Sequence, residues 1–314
     1  MPRIGLALSG GSMRAAAHVG ALKCLHDYRI RPWAVSGTSA GSVVAGLYAS
    51  GLGPESLEDV ARSLTVGKVF DPYSPLAILS GLAKVVNDAM GGPKFLLKQA
   101  PSGIIRGQRL EAFLRAQGIA NTFEQMHMPC IVTAAELDTG RKVLFADKDT
   151  ALRLSRRYRL RRNRTAVVSG VAPAEAIRAS CAIPGVFAPK RISGMQLVDG
   201  GIKDNLPLEP LDLLGCEILI GVDLGYSGER REDIDNIAEV VAQSIDIMAQ
   251  QSVHLSVEML KSRYRDKLVR VTPRIYDIGL FDTSRIEECI SRGYHEMKKC
   301  IAQLHRIMRV RSAK

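Results

Sequence analysis

The 314-residue sequence predicts an α/β fold, a three-layer α/β/α sandwich built around a mostly parallel central sheet. Short apolar segments that stop at glycine, such as residues 4–8, indicate buried strands. These segments alternate along the chain with longer helical segments, as they do when helices connect parallel strands. No repeat or low-complexity linker interrupts the chain, so we expect one domain over residues 1–314. Its motif-bearing core spans about residues 4–207, and residues 208–314 form a C-terminal strand-helix portion.

The order of elements follows from local patterns. Short apolar runs that end at turn residues predict the strands Ile4–Leu8, Pro32–Gly37, Cys130–Leu137, Lys142–Phe145, Gln196–Asp199, Ile218–Asp223 and Leu268–Val271. Longer segments rich in helix-forming residues predict the helices Ala15–Tyr28, Ala40–Ser50, Pro54–Leu64, Leu110–Gln117, Pro173–Ala179, Ile234–Lys261 and Thr283–Met308. Between Val66 and Gln108, glycine and proline recur among apolar segments. That region fits either a lid over a site or an irregular surface excursion.

The composition is that of an ordinary globular protein, with 46% hydrophobic and 24% charged residues and a net charge of +11. One segment is strongly basic and contains no acidic residue; its arginines are Arg153, Arg156, Arg157, Arg159, Arg161, Arg162 and Arg164. We expect a solvated loop here, and peripheral contact with an anionic membrane is its functional interpretation. We expect no nucleic-acid partner, because neither interleaved aromatics nor a recognition motif accompanies the arginines.

The cysteines and the apolar segments bear on the cellular environment. The six cysteines are dispersed and show neither CxxC nor zinc-ligand spacing, so we expect reduced thiols and no metal site. No apolar run approaches the roughly 20 residues of a membrane span, and no signal peptide is recognisable. We therefore expect a cytoplasmic protein whose contact with membranes, if any, is peripheral.

The strongest motif is Gly37-Thr38-Ser39-Ala40-Gly41, a GxSxG sequence between a predicted strand and a predicted helix. In this context the chain turns so sharply that the serine backbone is strained, and small residues at Gly37 and Gly41 avoid clashes. The following helix places its positive N-terminus near the serine, where negative charge would develop. The motif predicts that Ser39 is the nucleophile of a carboxylic ester hydrolase, and a simple tight turn is the structural alternative.

Two further glycine-rich turns follow predicted strands. Residues 9–14, Ser-Gly-Gly-Ser-Met-Arg, have little side-chain bulk, so they can expose backbone N–H groups to an oxyanion. They match neither a Walker A loop nor a GxGxxG dinucleotide loop. Asp199-Gly200-Gly201 ends another strand, and an acid followed by two glycines can approach a second loop closely. Each turn alone is also compatible with a purely structural role.

Taken in order, the three motifs resemble the patatin-like phospholipase family over about residues 4–207. The segments 179–189 and 199–207 also resemble that family, and His18 and Gly20 fit the helix after its glycine loop. The resemblance implies a patatin-like sandwich that hydrolyses fatty-acyl esters of lipids, phospholipids included, through a Ser–Asp dyad without a metal or other cofactor. It implies that Ser39 attacks the ester, that Asp199 accepts its proton, that Gly200 and Gly201 support the acid, and that an oxyanion is held by Gly10, Gly11, Ser12 and Arg14.

Two departures from the family pattern leave alternatives open. The family loop reads Gly-Gly-Gly-x-Arg-Gly, whereas Ser12 and Ala15 stand here at the third and last glycine positions. Because a Cβ restricts positive φ, a catalytically weak or inactive lipid-surface or regulatory protein on the same scaffold is one alternative. A Ser-Asp-His esterase is another, since His254 follows Asp199 in the required order. His254 lies in a predicted long helix, however, whereas the catalytic histidine of such an esterase is expected on a loop.

Overall fold

The computed structural model describes residues 2–89, 101–160, 164–225, 237–279 and 282–312. Its strands are Ile4–Leu8 (β1), Ala34–Thr38 (β2), Gly103–Ile105 (β3), Cys130–Glu136 (β4), Lys142–Phe145 (β5), Thr165–Val168 (β6), Gly185–Phe187 (β7), Lys190–Ile192 (β8), Met195–Asp199 (β9), Ile218–Val222 (β10) and Leu268–Val271 (β11). Its α-helices are Ala16–Asp27 (α1), Ala40–Ala49 (α2), Pro54–Arg62 (α3), Val66–Val69 (α4), Pro75–Ala89 (α5), Gln108–Ala116 (α6), Lys148–Leu160 (α7), Pro173–Ser180 (α8), Leu208–Leu214 (α9), Ile237–Tyr264 (α10) and Ile286–Ser312 (α11).

The central sheet has the strand order β11-β10-β1-β2-β4-β5-β6. Neighbouring strands along this order pair in parallel, except that β4 and β5 are antiparallel. β9 pairs antiparallel with both β4 and β8. Every residue of β1, β2, β4 and β10 is buried, as expected for strands covered by helices on both faces. The predicted mostly parallel α/β fold is therefore confirmed.

Two hydrophobic clusters place helices on both faces of the sheet. One cluster joins α1, α2, α3, α6, α8 and α11 to strand residues that include Leu6 and Leu8. The other joins α7, α9 and α10 to strand residues that include Ala7 and Ala34. Consecutive residues of β1 contribute to opposite clusters because side chains alternate across a strand with a period of two. The sheet is thus the middle layer of three.

The region from Val66 to Gln108 contains regular structure where it is described. It includes α4, α5 and the short strand β3, and residues 90–100 of it lie outside the described residues. β3 pairs in parallel with β7, with Ile105 opposite Phe187, and these two side chains share a small buried cluster. The described part of this region therefore contains regular elements, and its strand β3 packs against β7.

Residues 153–160 of the arginine-rich segment are helical, so the expectation of a loop is wrong for this part. Four of its arginines lie exposed on α7, Arg164 is exposed just before β6, and Arg161 and Arg162 lie outside the described residues. The helix forms because Ala151, Leu154 and Tyr158 recur at intervals of three and four and are buried against the domain. The arginines occupy the opposite, solvated face of the same helix.

Candidate active site

Ser39 occupies the turn between β2 and α2 in a strained backbone conformation. Its φ of 52° and ψ of −131° lie where residues with a Cβ are rarely found. The Ser39 N–H donates to the Ser180 hydroxyl at 2.7 Å, and that hydroxyl donates to the Thr133 carbonyl at 2.6 Å. Because both hydrogen bonds are buried, they hold the turn in a conformation that its own dihedral preferences oppose.

The two glycines of the GxSxG motif are required by close backbone approach. A Cβ at Gly37 would lie 2.5 Å from the Gly41 carbonyl oxygen. A Cβ at Gly41 would clash with the carbonyl oxygens of Leu8 and Ser9 at the end of β1. The turn can therefore approach β1 this closely only with glycine at both positions.

The register of β4 explains how Asp199 reaches Ser39. β2 pairs with the first part of β4 and ends with Thr38 opposite Thr133. β9 pairs with the next part of β4, running antiparallel, and ends with Asp199 opposite Ala134. Because Thr133 and Ala134 are consecutive, the ends of β2 and β9 meet. Asp199 consequently arrives beside the turn that carries Ser39.

The Asp199 carboxyl is buried, with 6% of the residue exposed. Its Oδ1 accepts a hydrogen bond from the Gly201 N–H at 2.8 Å, whereas Oδ2 has no hydrogen-bond partner among the described residues. Burial raises the pKa of Asp199 to about 6, although the Ser39 side chain and the Gly201 amide favour its charged form. At neutral pH the carboxylate is therefore mostly ionised and has an oxygen available to accept a proton.

The glycine-rich loop after β1 offers two unpaired amides beside Ser39. The Gly10 N–H donates to the carbonyl and the side-chain Oδ1 of Asn205, at 3.3 and 3.1 Å. The N–H groups of Gly11 and Ser12 make no hydrogen bond within the described part of the chain. Of the three amides predicted to face an oxyanion, one is therefore occupied by Asn205 and two remain available.

Arg14, predicted to contact an oxyanion, lines the space beside Ser39 and also binds two backbone carbonyls. Its Nε donates to the Ile278 carbonyl at 2.7 Å and its Nη2 to the Tyr276 carbonyl at 3.3 Å. The residue is almost fully buried, so these carbonyls replace the water that would otherwise solvate the guanidinium. Arg14 thus anchors the segment before α11 to the glycine-rich loop.

Two cavities meet at Ser39. The first is apolar and measures about 890 Å³, counting its open mouth; among its lining residues are Val43, Leu47, Val60, Phe70 and Phe113. The second is more polar and measures about 720 Å³; it is lined in part by Gly11, Asp199, Gly201, Asn205 and Asp246. Ser12, Ser39 and Ile183 line both cavities. A substrate with one apolar and one polar end could therefore span the serine.

The histidines do not assemble a Ser-Asp-His triad. His254 is exposed on α10 and lines neither cavity at Ser39. His18 is buried beneath the glycine-rich loop, with Nε2 2.8 Å from the Ser9 carbonyl oxygen. Burial lowers the pKa of His18 to about 4, although the Ser9 carbonyl opposes this, so His18 is neutral at pH 7. The geometry gives no support to an esterase that uses His254.

None of the described residues of the arginine-rich segment lines either cavity at Ser39. Their helix packs into the cluster on the other face of the sheet from α2. Contact between these arginines and a membrane is therefore not supported. Across the ranges that the structure describes, every helix is too short or too polar to cross a bilayer.

Sequence reasoning assigned no role to Ser180 or Asn205, although both contact predicted site residues. Each lies in a segment that resembles the family, residues 179–189 and 199–207. The resemblance was the signal that could have indicated these residues. It could not reveal their contacts, because these join positions far apart in the chain. Of the described residues that line the apolar cavity, only Val69 and Phe70 come from the region 66–108. The others come mainly from α2, α3 and their neighbours.

Ser12 adopts φ 51°, a left-handed conformation that favours glycine. This conformation destabilises the folded state by about 1–2 kcal/mol when the residue has a Cβ. Glycine removes that strain, but its greater entropy in the unfolded state costs about 0.5–1 kcal/mol. We therefore expect Ser12→Gly to raise the free energy of unfolding by roughly 0.5–1 kcal/mol in urea titrations. The substitution keeps the backbone amide at this position.

Ser193 provides a matched control for this substitution. It has the same φ of 51° in the exposed turn between β8 and β9, away from Ser39. Ser193→Gly should give a similar gain in stability, because it relieves the same left-handed conformation. A Ser12→Gly variant that is less stable than the wild type, while Ser193→Gly is more stable, would contradict the strain argument.

Comparison with known proteins places these features in a family. The family model described as patatin-like phospholipase matches residues 6–212. An uncharacterized NTE family protein of Mycobacterium tuberculosis is 29% identical over 238 residues, which cover 75% of this chain and 53% of that protein. A lysophospholipase NTE1 of Meyerozyma guilliermondii is 27% identical over 230 residues, covering 72% of this chain and 13% of that protein. The chain thus spans about half the length of its mycobacterial relative.

Among solved structures, VipD from Legionella pneumophila aligns with 95% of this chain and 66% of its own, at 14% identity and a TM-score of 0.49. The family match extends over most of the chain and includes the glycine-rich loop, the Ser39 turn and Asp199. The chain belongs to the patatin-like phospholipase family.

Proposed function

We propose that this protein hydrolyses fatty-acyl esters of lipids, with Ser39 as nucleophile and Asp199 as proton acceptor. The observation that carries the proposal is the position of Ser39 where an apolar and a more polar cavity meet, beside the buried Asp199 carboxylate. A strained serine turn and an acid of raised pKa are both typical of catalytic groups. Membership of the patatin-like phospholipase family supports the same chemistry.

In the proposed reaction, Ser39 Oγ attacks the ester carbonyl carbon while Asp199 takes the hydroxyl proton. The N–H groups of Gly11 and Ser12 then donate to the oxyanion of the tetrahedral intermediate. The C–O bond to the alcohol breaks, and Asp199 returns the proton to the leaving alkoxide. Water next gives a proton to Asp199 and attacks the acyl carbon. The bond from that carbon to Ser39 Oγ then breaks, Asp199 returns the proton to Ser39 Oγ, and the fatty acid is released.

The two cavities suggest how a substrate would be oriented. The apolar cavity offers hydrocarbon contacts from α2 and α3 to an acyl chain, whose burial would contribute roughly 0.8 kcal/mol per CH₂ group. The more polar cavity would receive the alcohol portion, since Asn205 and Asp246 line it. One apolar cavity suits a substrate with one acyl chain. Relatives named lysophospholipase make a lysophospholipid the first natural candidate.

The test is hydrolysis of p-nitrophenyl butyrate, p-nitrophenyl palmitate and palmitoyl lysophosphatidylcholine by the wild type and three variants. Ser39→Ala should lower the rate at least about 1,000-fold. Ser63→Ala makes the same chemical change at the end of α3 and should retain the wild-type rate. His254→Ala should also retain it, because this side chain is exposed and lines neither cavity.

Two outcomes would overturn the proposal. Loss of activity in a folded His254→Ala variant would favour a Ser-Asp-His esterase. Absence of wild-type hydrolysis on all three esters would favour a lipid-surface or regulatory protein, with the strained Ser12 as the first suspect. A higher rate on palmitoyl than on butyryl esters would support the assignment of the apolar cavity to the acyl chain.

A further inference from the structure

Asn205 lies between the glycine-rich loop and the loop that carries Asp199. Its side-chain Oδ1 and its own carbonyl both accept the Gly10 N–H, at 3.1 and 3.3 Å. A Cβ added at Gly10 would lie 2.6 Å from Asn205 Oδ1 and 3.1 Å from the Ser39 Cβ. Gly10 is therefore confined between Asn205 and the nucleophile, with no space for a side chain.

The same side chain lies close to the acid loop. A Cβ at Gly201 would lie 3.1 Å from Asn205 Oδ1 and 3.1 Å from Asp199 Oδ1. Gly201 is also the residue whose N–H donates to Asp199. One amide oxygen thus approaches both glycine turns of the site.

Buried hydrogen bonds hold the segment around Asn205 against the nucleophile strand. The Thr38 hydroxyl donates to the Asp204 carbonyl at 2.8 Å, and the Ser36 hydroxyl donates to the Pro207 carbonyl at 2.7 Å. Thr38 immediately precedes Ser39, so these contacts fix Asn205 relative to the nucleophile. Fully satisfied buried polar networks of this kind rigidify the groups that they join.

We propose that Asn205 is the positioning residue of the glycine-rich loop. By accepting the Gly10 N–H, it holds the loop at one distance from Ser39 and directs the remaining amides, those of Gly11 and Ser12, to the oxyanion. The loop needs such a restraint, because Ser12 is held at φ 51°, which its own side chain disfavours. This inference rests on the proposed hydrolase function and adds the residue that preorganises its oxyanion donors.

The experiment compares kcat and KM for p-nitrophenyl butyrate in the wild type, Asn205→Ala and Asn121→Ala. Asn121→Ala is the matched control, because it makes the same chemical change at an exposed residue that contacts neither loop. We expect Asn205→Ala to lower kcat about 100-fold, comparable with the loss of one oxyanion donor, and to leave KM within about twofold. Asn121→Ala should match the wild type in both constants.

Hydrogen exchange supplies a readout that does not depend on activity. The peptide that contains Gly10 should exchange faster in Asn205→Ala than in the wild type, because its N–H loses the side-chain acceptor. Asn205→Ser, whose side chain is one bond shorter, should show the same kcat loss and the same faster exchange. This second variant carries the test if Asn205→Ala does not fold.

The outcomes separate this inference from the proposed function. If the wild type is active, Ser39→Ala is inactive and the Asn205 variants keep kcat within threefold, the positioning role is wrong and the hydrolase function stands. A kcat loss without faster exchange at Gly10 would also overturn the positioning role. If the wild type hydrolyses no ester, the proposed function fails and this inference fails with it.

Discussion

Asp199→Asn is expected to abolish ester hydrolysis and yet to make the folded protein more stable than the wild type at pH 8. The substitution removes the proposed proton acceptor, so the loss of rate should approach that of Ser39→Ala. The gain in stability follows from burial, which raises the pKa of Asp199 from 3.8 to about 6. In the folded state at pH 8 the carboxylate carries a charge that the surroundings disfavour, and asparagine removes that charge at nearly the same volume.

The sign of the pH dependence follows from proton linkage. Between pH 4 and pH 6 the folded state binds more protons at Asp199 than the unfolded state, so wild-type stability falls as the pH rises through this range. At about 1.36 kcal/mol per pKa unit, a rise from 3.8 to about 6 corresponds to at most about 3 kcal/mol. Asp199→Asn should therefore be more stable by about 1–3 kcal/mol at pH 8, and the difference should shrink towards pH 4.

Urea titrations of both proteins at pH 4 and pH 8 measure this difference. The matched control is Asp138→Asn, since Asp138 is exposed in the turn between β4 and β5. This substitution should leave the free energy of unfolding unchanged at both pH values. A stability difference that is equal at the two pH values, or a less stable Asp199→Asn at pH 8, would contradict the argument. The wild-type kcat/KM should rise with pH through about 6, because the proposed reaction requires the base form of Asp199.

Lys142→Met is expected to lower the free energy of unfolding by about 3–5 kcal/mol, because it breaks a buried ion pair by removing one partner. Lys142 Nζ lies 2.9 Å from Asp204 Oδ2 and 2.8 Å from Glu209 Oε2, with 11% of the lysine side chain exposed. Burial alone would lower the pKa of Lys142, but the two carboxylates raise it above its ordinary value. Methionine fills similar space and removes the ammonium group that both carboxylates contact.

The matched control is Lys261→Met, which removes an ammonium 2.5 Å from Glu258 where both side chains are exposed. Exposed pairs contribute about 0–1 kcal/mol, so this variant should remain close to the wild type in urea titrations. Similar losses in the two variants would contradict the importance of burial. Lys142→Met should also reduce hydrolysis, because Asp204 anchors the segment that positions Asn205 against the nucleophile strand.

The sequence predicted the strand and the helix next to the site turns better than the helices on the other face of the sheet. The helix expected over Ala40–Ser50 is observed at Ala40–Ala49, and the strand expected at Ile4–Leu8 has those same bounds. These elements are encoded locally, by apolar runs that stop at glycines whose lack of a Cβ is needed there. α9 was missed, and α7 was expected to be a loop, because the helical character of each depends on packing against the second cluster.

The sequence by itself determined the α/β class, the strained turn at Ser39 and the glycine-rich loop, because each depends on neighbours within a few positions. Only the tertiary structure decided that Asp199 lies beside Ser39. This placement requires β9 to run antiparallel to β4 and to end opposite Ala134, the residue after the one that pairs with the end of β2. It also decided that Arg14 binds carbonyls before α11 and that Asn205 takes the Gly10 amide. Such contacts depend on register and on hydrogen-bond partners about 200 positions or more away, which no local pattern contains.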